Sequence, residues 1–224
     1  MQQDLARAIA AECERLGIDV PPESLPRLAA YAASLWSWNE RLNLTRHTDV
    51  EKFVSRDVAD AAALAAHLSA GERVLDVGTG GGVPGVLLAI LRPDLKVELC
   101  DSVGKRARAL QEILAEIGLA LPVHAGAAQG LVAAADRETG RFDTLVVRAV
   151  APLVKLLGWF EPLCERYGRM LVIKGPRWED EKGEARHRGF AKKVTVRRVA
   201  AWPIRGSDNE SVLLEIRKRG EAAG

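Results

Sequence analysis

The run Val74-Leu75-Asp76-Val77-Gly78-Thr79-Gly80-Gly81-Gly82-Val83-Pro84-Gly85 constrains this chain more than any other stretch, because a short apolar strand breaks directly into a glycine-rich turn and a helix. Glycines let backbone N–H groups approach a ligand at dihedral angles that a Cβ forbids, and the helix opening near Pro84 aims further amide donors at the same place. A nucleotide-like ligand is the natural occupant, and a purely structural tight turn is the alternative. After Gly78 and Gly80 come Gly81-Gly82 and Pro84-Gly85, which crowd the open helix N-terminus that a dinucleotide pyrophosphate needs. S-adenosylmethionine carries no phosphate and fits such a turn better than NAD.

The segments on either side of this turn differ in kind. Upstream the pattern is helical throughout: Leu5, Ile9, Cys13 and Leu16 repeat at helical spacing with Gly17 as C-cap, and Pro21-Pro22 then breaks the chain. A second helix is expected over 23–44, with Leu28, Tyr31, Leu35, Trp38 and Leu42 on one stripe. Thr48-x-x-Glu51 has the form of a capping box opening a third helix that runs to Leu68. Downstream, short apolar runs alternate with helical segments, the pattern of a parallel sheet covered by helices. Strands are expected over 73–77, 96–101, 121–125, 143–148 and 168–174, with helices over 84–92, 103–118, 126–135, 151–163 and 178–188. Two last strands, 193–201 and 210–217, have no helix between them and form an antiparallel hairpin at the sheet edge. The expected fold is therefore α/β: a doubly wound, Rossmann-like sheet of the class I methyltransferase kind (71–220) with an N-terminal helical extension (1–70) packed on it. No internal repeat is visible, and the only low-complexity segment is the tail, 220–224.

Composition narrows the classes that remain. The chain has 224 residues, 48% hydrophobic and 28% charged, enough for one sizeable core. A net charge of +2 permits a nucleic-acid partner without requiring one, although basic residues outnumber acidic ones between 177 and 205. That segment either contacts phosphates or presents a solvated helix face. Cys13, Cys100 and Cys164 form no Cys-x-x-Cys pair, and His47, His67, His124 and His187 never stand at i, i+4, so neither a disulfide framework nor a metal site is expected. No signal-like amino terminus and no spanning-length apolar run is present, which leads to the expectation of a soluble cytoplasmic protein with no membrane partner. The few exposed aromatics fit a monomer.

In open α/β sheets the ligand lies at the carboxyl ends of the strands. The second strand stops at Asp101, where a carboxylate can accept hydrogen bonds from both ribose hydroxyls of an adenosine or, alternatively, cap the helix that follows. Gly126-Ala127-Ala128 after the third strand leaves room for an adenine ring. Arg148 closes the fourth strand and Lys174 the fifth, and each cation must find a partner or a ligand on desolvation. Trp36 and Trp38 either pack on the core or stack on a base. Trp178, just after Lys174-Gly175-Pro176-Arg177, is the better candidate for an RNA contact.

Several blocks occur in one order: Trp38-Asn39-Glu40-Arg41-Leu42-Asn43-Leu44-Thr45, the glycine turn, Leu91-Arg92-Pro93, Asp101-Ser102-Val103-Gly104-Lys105-Arg106, Arg148-Ala149-Val150-Ala151-Pro152-Leu153 and Lys174-Gly175. Over 31–176 the chain resembles the bacterial small-subunit ribosomal RNA guanine-N7 methyltransferase family, RsmG or GidB. The resemblance implies S-adenosylmethionine-dependent methylation of a guanine N7 in small-subunit (16S) ribosomal RNA, with that RNA or the assembled small subunit as partner. It also implies cofactor contacts at Gly78, Gly80, Val83, Ala127, Ala128 and Arg148, with Asp101 as ribose ligand. Arg148 would position cofactor or guanine, and Lys174 would contact RNA phosphate or guanine O6; Lys105 and Arg106 either hold RNA or decorate a helix face.

Guanine N7 has a lone pair and no proton, so no general base is expected, and none of the Asn/Asp-Pro-Pro-Tyr kind follows the fourth strand. Three segments depart from the family pattern. Its His-Leu-x-Asp-Ser run is matched by Asp57-Val58-Ala59-Asp60-Ala61, its Arg-His pair before the last strand by Glu210-Ser211, and its acidic residue after the third strand by Ala128. Alternatives are a paralogue acting on another RNA guanine and a non-catalytic RNA-binding protein on the same scaffold.

Overall fold

The structure is a computed structural model that describes residues 2–135, 140–205 and 208–220. Seven strands alternate with helices after a helical amino-terminal third. In chain order the elements are α1 (Gln2–Leu16), α2 (Leu25–Leu42), α3 (Val50–Lys52), α4 (Ala59–Ala65), β1 (Arg73–Val77), α5 (Gly85–Leu91), β2 (Lys96–Asp101) and α6 (Gly104–Glu116). There follow β3 (Val123–Ala125), α7 (Ala128–Ala134), β4 (Phe142–Arg148), α8 (Leu153–Phe160), β5 (Tyr167–Lys174), α9 (Trp178–His187), β6 (Val194–Pro203) and β7 (Glu210–Lys218).

The strands form one sheet in the order β3-β2-β1-β4-β5-β7-β6. Neighbours among β1 to β5 run parallel, while β7 lies antiparallel between β5 and β6. The expected terminal hairpin is present, and its return strand is the one that inserts next to β5. The loop expected to join its strands includes positions 206 and 207, outside the described residues, as do 221–224 of the low-complexity tail.

Alternation along each strand divides the core in two. On β1, Val74 packs with α1, α2, α4, α5 and α6 through Ile9, Leu28, Leu64, Leu87 and Leu110. Leu75 and Val77 face the other way, onto α7, α8 and α9 through Val132, Leu156 and Ala185. Because both faces are covered, the central strands are nearly continuous apolar runs, as in Leu145-Val146-Val147. Tyr31 on α2 is fully buried, and its hydroxyl donates to Gly81 O at 2.8 Å, which ties the amino-terminal helices to the glycine turn. Removing one partner of such a buried bond costs about 1–3 kcal/mol.

Two helix ends merit comment. After α1, Gly17 (φ 65°) is followed by the Ile18 N–H to Cys13 O bond of a Schellman cap, as its position predicts. The third helix starts differently from the expected capping box: Asp49, not Thr48, is the N-cap, its Oδ1 accepting from Lys52 N at 2.7 Å. The next six residues, Phe53–Val58, wind as a π-helix before α4 begins, and Asp57 and Asp60 are both buried beneath the strand ends. No helix of the described residues is long and apolar enough to cross a membrane.

Candidate active site

The turn after β1 is held from three sides. Gly78 has φ 71°, and a Cβ there would lie 2.6 Å from Val150 Cγ2, so both conformation and space demand glycine. The Gly78 and Thr79 amides donate to Cys100 O at 2.8 and 3.0 Å, fastening the turn to β2. Asp76 Oδ2 accepts from Thr79 Oγ1 at 2.6 Å and from Gly85 N at 2.8 Å. Pro84 has no N–H, Gly85 N faces Asp76, and Val86 N bonds Gly82 O, so the first two amides of α5 are already engaged. Burial pushes the Asp76 carboxyl up to about 6, against the opposing pull of its bonds to Thr79 and Gly85. Its Oδ1 is buried without a hydrogen-bond partner.

At the end of β2, Asp101 Oδ2 accepts from Gly80 N at 2.9 Å and Oδ1 from Val103 N at 2.8 Å. The Val103 bond braces the entry to α6, and the Gly80 bond joins that entry to the glycine turn. Each carboxylate oxygen retains an acceptor site. Beyond β3, Gly126 N bonds Asp101 O at 2.9 Å, Ala127 is exposed at the N-cap of α7, and Ala128 is buried as its first residue.

A cleft of about 1170 Å³ opens at the carboxyl ends of β1, β4 and β5, lined among others by Gly78, Gly80, Val83, Arg148 and Lys174. Asp101, Ala127 and Ala128 lie outside its lining, on the β2 and β3 side. Ala149 lines the cleft with φ 55°, a left-handed conformation uncommon for a residue with a Cβ.

Both strand-end cations have carboxylate partners. Arg148 Nη2 lies 2.7 Å from Asp57 Oδ1 and its Nη1 3.0 Å from Asp60 Oδ2. Asp57 Oδ1 is also 2.8 Å from His47 Nδ1, and Asp60 Oδ1 accepts from Trp202 Nε1 at 3.0 Å. A chain His47–Asp57–Arg148–Asp60–Trp202 thus runs under the cleft, joining the loop after α2, the third helix, β4 and β6. Burial raises the Asp60 carboxyl, and Arg148 opposes the rise. Lys174 Nζ lies 2.7 Å from Glu181 Oε2 and donates to Ala151 O at 2.6 Å. His47, Asp57 and Glu181 do not stand out from sequence, because each meets its partner on a different element of the fold. The one available signal was the departure of 57–61 from the family pattern.

The tryptophans are anchored at the edges of this arrangement. Trp36 Nε1 donates to His47 O at 2.8 Å and Trp38 Nε1 to Glu116 Oε1 at 3.1 Å, both packed on the core. Trp178 sits with Lys182 Nζ 5.6 Å and Arg198 Cζ 5.9 Å from its ring centroid, a half-buried aromatic flanked by cations. Among the described residues, no group of three His, Cys, Asp or Glu side chains gathers as a metal site would.

The family profile described as rRNA small subunit methyltransferase G matches residues 24–206, most of the chain. The chain belongs to this family. A ribosomal RNA small subunit methyltransferase G from Rhodopirellula baltica is 47% identical over 85% of this chain and 80% of its own length. One from Pseudomonas paraeruginosa is 37% identical over 76% and 78%. Among solved structures, TrmK from M. capricolum in complex with S-adenosyl-homocysteine matches with a TM-score of 0.54 at 14% identity, covering 71% of this chain and 68% of that one. The METTL16 methyltransferase domain matches at 0.53 and 16%, covering 83% and 78%. These distant likenesses carry the fold, which is that of the class I methyltransferases, as the strand order requires. The rRNA small subunit methyltransferase G family match covers both halves of the cleft, from the loop holding His47 to Lys174 and Glu181.

Proposed function

We propose that this protein transfers a methyl group from S-adenosylmethionine to N7 of a guanine in small-subunit ribosomal RNA, with that RNA or the assembled small subunit as its partner. The observation that carries the reading is the arrangement at one sheet edge: a glycine turn whose first two helix amides are already engaged, a strand-end carboxylate beside it, and an open cleft toward β4 and β5. A phosphate-free adenosyl ligand suits that turn. Gly78 and Gly80 supply backbone without side chains, Val83 an apolar wall, Asp101 two remaining acceptor sites for ribose hydroxyls, and Ala127 and Ala128 a small-residue seat with backbone amides at the start of α7.

The cofactor supplies an electrophilic methyl on a sulfonium, and the N7 lone pair forms the new N–C bond as the S–C bond breaks, the positive charge passing to the base. Because N7 bears no proton, the chain needs no free base. The cleft carboxylates Asp60 and Glu181 are in fact tied to Arg148 and Lys174. Arg148, held by two carboxylates, shapes the cleft floor between donor and acceptor sides. Lys174 retains one N–H beyond those to Ala151 O and Glu181, directed to the RNA. The protein acts as a cytoplasmic monomer in this proposal.

Calorimetric titration with S-adenosylmethionine tests the donor half. Asp101→Asn keeps the size of the side chain and removes its charge, and it should weaken binding about 10- to 100-fold, the worth of hydrogen bonds to a charged group. Affinity within twofold of the wild type would remove Asp101 from the cofactor site.

A further inference from the structure

Lys174 and Glu181 form a feature that methyl transfer itself does not use. They come from the end of β5 and the first turn of α9, and both line the cleft. Glu181 Oε2 is held twice, by Lys174 Nζ and by the Leu153 amide at the start of α8, each at 2.7 Å. Oε1 takes no hydrogen bond from any described residue, and the side chain is 25% exposed. Lys174 Nζ is held by Ala151 O and Glu181, which leaves one of its three donors. Three segments, 151–153, the end of β5 and the first turn of α9, thus converge to fix one unbonded donor, on a side chain 9% exposed, next to one unbonded acceptor. The pair stands on the β4 and β5 side of β1, away from Asp101 at the end of β2.

Guanine presents the complementary order along one edge: the O6 acceptor, then the N1–H and 2-amino donors. Adenine inverts it, with a 6-amino donor followed by a bare N1 acceptor. We infer that Lys174 and Glu181 read the target base as a unit, Lys174 donating to O6 while Glu181 Oε1 accepts from N1–H and the 2-amino group. This inference rests on the guanine-N7 reading above and adds the residue that makes the site choose guanine. N7 lies beyond O6 on the neighbouring edge of the base, so a guanine gripped through O6, N1–H and the 2-amino group keeps N7 free for the methyl donor. An adenine in the same place would set donor against donor and acceptor against acceptor, leaving polar groups unpaired in a desolvated cleft.

The pair could instead serve only to clamp α9 onto β5 and α8, and the two roles separate in one experiment. Small subunits are reconstituted with ribosomal RNA carrying either guanosine or inosine, which lacks the 2-amino group, at the nucleotide the wild-type protein labels. Inosine should lower wild-type kcat/KM about 10- to 100-fold, the worth of a hydrogen bond to a charged acceptor. In Glu181→Gln, whose calorimetric affinity for S-adenosylmethionine reports an intact donor site, the inosine penalty should shrink to about threefold or less, since the two changes remove the same contact. An equal penalty in both proteins, or no penalty in the wild type, overturns the inference; the second arm needs no substitution and so is independent of how the variant folds. A wild-type protein that labels no guanine at all overturns the proposed function instead.

Discussion

Replacing Arg148 by Met probes the center of the structure most sharply. Met keeps much of the side-chain volume and removes the charge, leaving Asp57, with 0% exposure, and Asp60 buried without their cation. Asp57 Oδ2 already lacks a partner, and without Arg148 the bonds that remain are those of Asp57 to His47 and of Asp60 to Trp202. Breaking a buried pair by deleting one member costs about 3–5 kcal/mol. For a chain of this length that corresponds to a fall in Tm of about 6–20 °C, at roughly 2–4 °C per kcal/mol. Urea and thermal denaturation at neutral pH read the loss directly. The pH dependence identifies its origin. Asp60 is already raised by burial, and removing the opposing Arg148 charge raises it further. A carboxyl raised in the folded state contributes stability that is complete below its unfolded pKa of about 3.9 and is lost as pH rises through the folded value. The variant's deficit should therefore be smaller near pH 4 than at pH 7, and adding Asp57→Asn with Asp60→Asn should restore much of it. A deficit under about 1 kcal/mol, or one that ignores pH, would refute the reasoning and return Arg148 to the role of a free ligand.

Other perturbations test neighbouring parts of the site. Gly78→Ala forces a Cβ into the left-handed region at φ 71° and to 2.6 Å from Val150 Cγ2; a loss of about 1–3 kcal/mol is expected, with weaker S-adenosylmethionine binding by calorimetry, and wild-type values for both would contradict the geometry. Asp76 is raised by burial to about 6, so its contribution is fully present below pH 4 and declines as pH climbs to 6. That decline amounts to about 3 kcal/mol at most, at 1.36 kcal/mol per pH unit. Asp76→Asn should remove this slope in a stability-against-pH series, and an unchanged slope would place the titration elsewhere.

What the sequence discloses depends on how local its cause is. The β1 turn was legible because its glycines answer to backbone needs within a few residues: the left-handed Gly78, and Gly85, where a Cβ would fall 2.4 Å from Leu99 Cδ2. The strand ends followed from alternation, which is why Asp101, Arg148 and Lys174 could be placed at the same edge of the sheet. The third helix starts one residue later than a Thr48 cap predicts, since Asp49 and Thr48 are both able caps and only the chain's approach decides between them. The π-helical Phe53–Val58 has no signature in a 3.6-residue pattern, and it belongs to the segment that supplies Asp57. Most hidden were the partners of the cations. Asp60 reaches Arg148 across 88 positions and Trp202 across 142, and no periodicity encodes such pairs. From sequence, two strand-end cations must each meet a partner or a ligand, and the fold supplies a carboxylate partner to both.

The central claim is a methyl transfer from S-adenosylmethionine to guanine N7 in small-subunit ribosomal RNA. Incubating the protein with methyl-labelled S-adenosylmethionine and undermethylated small ribosomal subunits, then mapping the labelled nucleotide and the position of its methyl group, measures it directly. Label is expected on a guanine of the small-subunit RNA, at N7, and is expected to fall about 10- to 100-fold at subsaturating S-adenosylmethionine in Asp101→Asn. Cofactor binding without label on RNA, or label on another base or atom, would contradict it.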